Sequence, residues 1–95
     1  MTKFSRPSPN LYVCSDGYSV QVLGQTGLAY RERGRCMFID SEVLMPPAGM
    51  IMYRETVCRW LPPHAEEALS DDERQRIVSN VVAALGSQGC EVQVM

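Results

Sequence analysis

The chain reads as an α+β domain: an antiparallel β-meander sheet, one C-terminal helix packed on a face of it, and a short final strand. Three observations predict this. Tyr18, Val20 and Val22 alternate with Ser19 and Gln21 in the period of a half-buried strand. Arg33-Gly34 fits a two-residue hairpin loop between two further strands. Ser70 and Glu73 have the spacing of a capping box, and Ile77, Val78, Val81, Val82 and Leu85 follow as one helical stripe.

Residues 1–10 hold two prolines, two serines, Lys3 and Arg6, with Phe4 as the large apolar residue inside the segment. That is too little burial to offset ordering entropy, so a flexible N-terminal arm is expected there, followed by one α+β domain over residues 11–95. Order begins near Leu11 or Tyr18, and Gly24-Gln25-Thr26-Gly27 makes a turn. The Arg33-Gly34 loop sets Glu32 opposite Arg35, Tyr30 opposite Met37 and Leu28 opposite Ile39. Leu28, Tyr30, Met37 and Ile39 then form the core face. Ala29, Arg31, Cys36 and Phe38 form a mixed second face, on which Phe38 either packs under the arm or joins a contact surface.

Beyond Val43 and Leu44 the Pro46-Pro47-Ala48-Gly49 cluster breaks regular structure, because consecutive prolines lack amide donors. Met50 to Tyr53 resumes as a strand whose outward side the pattern leaves unassigned. Arg54-Glu55-Thr56 bends or bulges it, and Val57 to Leu61 continues it with Cys58 and Trp60 on one side, until Pro62-Pro63. In the helix, Asp71 and Asp72 oppose the positive end, Asp72 and Arg76 are spaced for an i,i+4 pair, and Gly86 stands where a left-handed cap belongs. Cys90, Val92 and Val94 alternate with Glu91 and Gln93 as the last strand.

Composition excludes several classes. A chain of 95 residues buries one modest core. A formal charge of −2 and a pI near 5.3 argue against a nucleic-acid partner, which needs clustered Lys and Arg. Apolar runs fall far below the roughly 18 residues that span a bilayer, and the N-terminus lacks a signal pattern, so a cytoplasmic protein without membrane contact is expected. Cys14, Cys36, Cys58 and Cys90 are widely spaced, without zinc or redox spacing, and read as small buried free thiols.

Candidate chemistry is sparse. His64, the one histidine, has Glu66 and Glu67 close behind it, but no further ligands at metal spacing, and pairing it with Cys58 has no local signature. Gly24 and Gly27 lead into a strand rather than a helix, which removes a phosphate-cradling loop. These readings favour a protein with no catalytic, cofactor or metal site. Arg31, Arg33 and Arg35 gather at a hairpin tip, where charge commonly serves solubility. Glu66, Glu67, Asp71, Asp72 and Glu73 place five carboxylates in eight positions, a field able to steer a basic protein surface, although three of them serve the first helical turn. Trp60 beside Arg59 joins two residue types that anchor interfaces, with a core position the plainer reading of the tryptophan.

Taken in order, Gly34-Arg35, Ile39-Asp40-Ser41-Glu42-Val43-Leu44, Gly49 to Tyr53, Val57 to Trp60, Pro62-Pro63, the Ile77 to Leu85 helix and the terminal strand make a pattern. Over roughly Tyr18 to Val94 it resembles small bacterial immunity proteins encoded beside toxin genes in polymorphic toxin systems. The resemblance implies a non-enzymatic protein that binds a cognate protein toxin in the producing cell. Glu42 and Trp60 match the pattern without an assigned role. Candidate partner-binding residues are therefore Glu42, Arg59, Trp60, Glu66, Glu67, Asp71 and Asp72. A small-ligand or regulatory module with a pocket beside Trp60 is the alternative, and edge strands leave pairing into a homodimer open.

Overall fold

A computed structural model describes residues 3–44 and 49–95. Seven strands form one sheet in sequence order: β1 (Phe4–Ser8), β2 (Leu11–Cys14), β3 (Tyr18–Val22), β4 (Thr26–Glu32), β5 (Arg35–Val43), β6 (Met50–Met52) and β7 (Val92–Val94). Neighbours pair antiparallel except β6 and β7, which run parallel because helix α1 (Asp71–Gly86) lies between them in the chain. The architecture is the expected meander, helix and final strand.

The β4–β5 hairpin has the register its loop dictates, with Glu32 opposite Arg35, Tyr30 opposite Met37 and Leu28 opposite Ile39. Arg33 at φ 49° and Gly34 at φ 77° supply the two left-handed residues of a tight turn whose twist matches that of the strands. Leu28, Tyr30, Met37 and Ile39 are fully buried. They meet Ile77, Val78, Val81, Ala84 and Leu85 of α1, and Met50 and Met52 point the same way. Each fully buried side chain of this kind contributes roughly 1.5–3 kcal/mol before entropy, so the helix-on-sheet contact dominates the core. Val82, read as part of the stripe, is half-buried, and Ala84 takes its place inside.

The capping box forms: the Ser70 side chain accepts from the Glu73 amide at 3.1 Å, and the Glu73 carboxylate accepts from the Ser70 amide at 3.4 Å. The far end of the helix differs from expectation. Gly86 remains helical, and the left-handed residue is Gly89 at φ 82°, where the Cys90 amide returns to the Leu85 carbonyl at 3.1 Å.

Three other expectations are corrected. The segment read as a loose arm contains β1, which pairs with β2 as an edge strand, where Pro7 needs no ladder donor. Phe4 packs against the core and the Arg6 guanidinium stands 5.2 Å from the Tyr12 ring centre, contacts the local composition does not reveal. Val57 to Leu61 is irregular rather than a strand: a 3-10 turn at Arg54–Thr56 redirects the chain, so that Val57 and Trp60 are buried while Cys58 is exposed. Of the cysteines, Cys14 is buried and Cys36 and Cys90 are intermediate. The expected break at Pro46-Pro47-Ala48 lies outside the described residues.

Candidate partner-binding surface

Two regions draw in the residues singled out by sequence. The first is the end of the molecule where the β4–β5 hairpin tip meets the start of α1. Glu32 is 7 % exposed, because the hairpin register places it on the same side as Tyr30. Its carboxylate accepts from Arg76 Nη1 at 2.8 and 2.9 Å and from the Tyr30 hydroxyl at 2.8 Å, and Asn80 Nδ2 donates to that hydroxyl at 2.9 Å. Arg76 therefore turns inward to Glu32 instead of pairing with Asp72. Burial, chiefly, pushes the Tyr30 phenol above its ordinary range, and the Glu32 hydrogen bond holds the Arg76 guanidinium still more firmly charged.

Beside this network the Tyr30 ring stacks between Tyr18, at 5.8 Å, and Trp60, at 6.4 Å between ring centres. Trp60 is 3 % exposed, so it supports the surface from beneath. Above it, Arg35 donates to Glu67 at 2.7 and 2.9 Å, and His64 Nδ1 lies 2.6 Å from the other Glu67 oxygen. The Arg35 hydrogen bond draws the Glu67 carboxyl below its usual range. Asp71 pairs with Arg74 at 3.2 Å. Arg59, Glu66 and Asp72 are exposed. At the hairpin tip Arg31 donates to Gln21 at 3.1 Å within the sheet, and Arg35 pairs with Glu67 in the segment before α1, which leaves the arginine cluster partly committed within the protein.

The cleft beside Trp60 measures about 170 Å³ and is lined largely by charged residues, among them Glu32, Arg35, Glu67 and Arg76. Ligand pockets usually run to roughly 300–1,000 Å³ with apolar walls, so the cleft beside Trp60 does not match an enclosed ligand site. A wider, open groove of about 500 Å³ lies at the hairpin tip beside Cys14, Tyr18, Arg31 and Cys36. Among the described residues no group of three or more His, Cys, Asp or Glu could hold a metal ion, and no helix is long and apolar enough to cross a membrane.

The second region is the sheet face opposite α1. Glu42, far from the other candidates, lies here next to Ile51 and accepts from the Tyr53 hydroxyl at 3.0 Å. That bond raises the Tyr53 phenol above its ordinary value. Asp40 adjoins Tyr53 through a backbone bond of 3.0 Å, and Phe38 follows outward on the same strand, 46 % exposed. Phe38 does not pack under β1; its ring lies over Gly27, at φ 96°, where a Cβ would come within 2.6 Å of a ring carbon. The structure thus separates Glu42 from the carboxylates near Trp60. Sequence reasoning missed Glu32, Arg76, Asp40 and Tyr53 as partners in these regions. The hairpin register alone signalled that Glu32 points inward.

The family model described as Immunity protein 74 matches residues 20–95. No curated protein and no solved structure gives a significant match.

Proposed function

The chain belongs to the Immunity protein 74 family, and on that footing we propose that it neutralises a cognate protein toxin by binding it, without performing a reaction on it. The match across residues 20–95, which takes in both surface regions and the whole of α1, is the observation that carries this reading. The architecture supports it. A sheet tied to its helix by the partly buried Glu32–Arg76 ion pair, with an aromatic stack beside it, presents side chains already fixed in place, and a pre-organised surface loses little entropy on docking.

In this reading the protein acts in the cytoplasm of the cell that makes the toxin. Its partner is a protein rather than a nucleic acid, in keeping with the acidic balance of the chain. Exposed Glu42 supplies a contact from the sheet face opposite α1, and exposed Arg59, Glu66, Glu67, Asp71 and Asp72 border the other region, which Trp60 supports from beneath. Co-expression tests the proposal. The toxic domain encoded by the neighbouring gene should arrest growth alone, be tolerated when this chain is present, and co-purify with it. A toxin that still kills in the presence of folded protein, with no complex recovered, defeats the proposal.

A further inference from the structure

We propose, resting on the toxin-binding reading above, that the sheet face between Phe38 and Tyr53 is the surface that grips the toxin, and that it receives an arginine-bearing, positively charged segment of that partner. Helix α1 packs on one face of the sheet. On the other, Phe38, Asp40 and Glu42 occupy successive outward positions of β5 and remain exposed. Ile51 stands beside Glu42, and Tyr53 beside Asp40. The result is a strip in which Phe38 and Tyr53 lie beside two carboxylates.

Charge together with exposed aromatic surface selects this face over the end near Trp60. There, Glu32 is committed to Arg76, Glu67 to Arg35 and His64, Asp71 to Arg74, and Glu73 to the helix cap. Among the described residues that leaves Glu66 and Asp72 without an ion pair, but at an end whose rings, Tyr18, Tyr30 and Trp60, are buried. On the strip, Glu42 accepts from the neutral Tyr53 hydroxyl, and among the described residues neither Asp40 nor Glu42 forms an ion pair. Its negative potential is therefore uncancelled and available to an incoming cation. The neighbouring rings narrow the chemistry further. A guanidinium stacks on an aromatic face while its edge donates to a carboxylate, a combination an ammonium satisfies less well. Contact with Gly27 holds the Phe38 ring in position before any partner arrives.

The test titrates the purified toxic domain encoded beside this gene against four proteins, each with its melting curve recorded: wild type, Asp40→Lys/Glu42→Lys, Asp40→Asn/Glu42→Gln, and Glu66→Lys/Asp72→Lys. Wild type should bind more weakly as salt rises. Charge reversal on the strip should weaken binding by about a hundredfold and flatten the salt dependence, and neutralisation by about tenfold, with reversal at Glu66 and Asp72 changing it by less than about threefold. The neutral pair keeps side-chain shape and decides the matter if the reversed pair fails to fold. Binding by the neutral pair within about threefold of wild type, or loss in the Glu66 and Asp72 variant instead, overturns the placement while leaving the toxin-binding reading intact. Failure of wild type to bind removes that reading and this inference together.

Discussion

The Arg76 guanidinium reaches both carboxylate oxygens of Glu32, 44 positions away in sequence, and so ties α1 to the tip of the β4–β5 hairpin. Removing one partner leaves the other uncompensated, and Glu32 is far the more deeply buried of the two. Arg76→Ala should destabilise the fold by about 1–3 kcal/mol, below the range for fully buried pairs because Arg76 is partly exposed. Glu32→Leu combined with Arg76→Leu should recover much of that loss. Urea unfolding of the single and double variants measures the difference.

The helix start and the helix stripe should separate cleanly. Ser70→Ala removes the cap acceptor and should cost about 1 kcal/mol, whereas Glu73→Gln keeps a reciprocal bond and should cost less. Leu85→Ala, at a fully buried position, should cost about 2–5 kcal/mol. Val82→Ala should cost well under that, because Val82 is half-buried. Thermal melts of the four variants give the order.

Two ionisations set opposite pH limits. Tyr30 keeps its proton in the folded state beyond the ordinary phenol value, so its contribution is whole below about pH 10 and is lost as pH rises above it. Tyr30→Phe should remove one late step from an ultraviolet phenolate titration. Glu67 behaves the other way. Its folded carboxyl titrates below the usual range, so its contribution is present above that range and fades as pH falls through the lowered value. Glu67→Gln should flatten stability against pH in the acid limb, as read from melting temperatures at a series of pH values.

Gly27→Ala should be destabilising twice over. It places a side chain in a left-handed backbone and drives a methyl group into the Phe38 ring. The expected loss is about 1–3 kcal/mol, and adding Phe38→Ala should relieve the steric part and leave the backbone part. Differential scanning calorimetry of both variants separates the two contributions.

What could be read from the sequence was what short-range chemistry encodes. The two-residue Arg33-Gly34 loop sets a whole register, and Ser70 with Glu73 marks the helix start, because each involves residues a few positions apart. The rest depended on distant partners. Arg76 sits four residues from Asp72 yet bonds Glu32, since an ion pair with a nearly buried carboxylate outweighs one in open water. The N-terminal segment looked too polar to order until β2 supplied a ladder and Tyr12 a ring for Arg6. Val57 to Leu61 carries an alternating pattern, but the 3-10 turn before it changes which side chains face inward. Of the candidate contacts, Trp60 takes the core position that is the plainer reading of its sequence, whereas the ion pair of Glu67 arises from tertiary packing that periodicity cannot express.

The central claim, that this protein restrains its partner by occupying it, is tested most directly by the stoichiometry of protection. Purified toxic domain at fixed concentration should lose activity linearly as wild-type protein is added, reaching its floor at one equivalent, with full activity regained when the complex is dissociated in denaturant and the toxin refolded. Inactivation of many toxin equivalents by one copy, or undiminished toxicity at a large excess of folded protein, would contradict it.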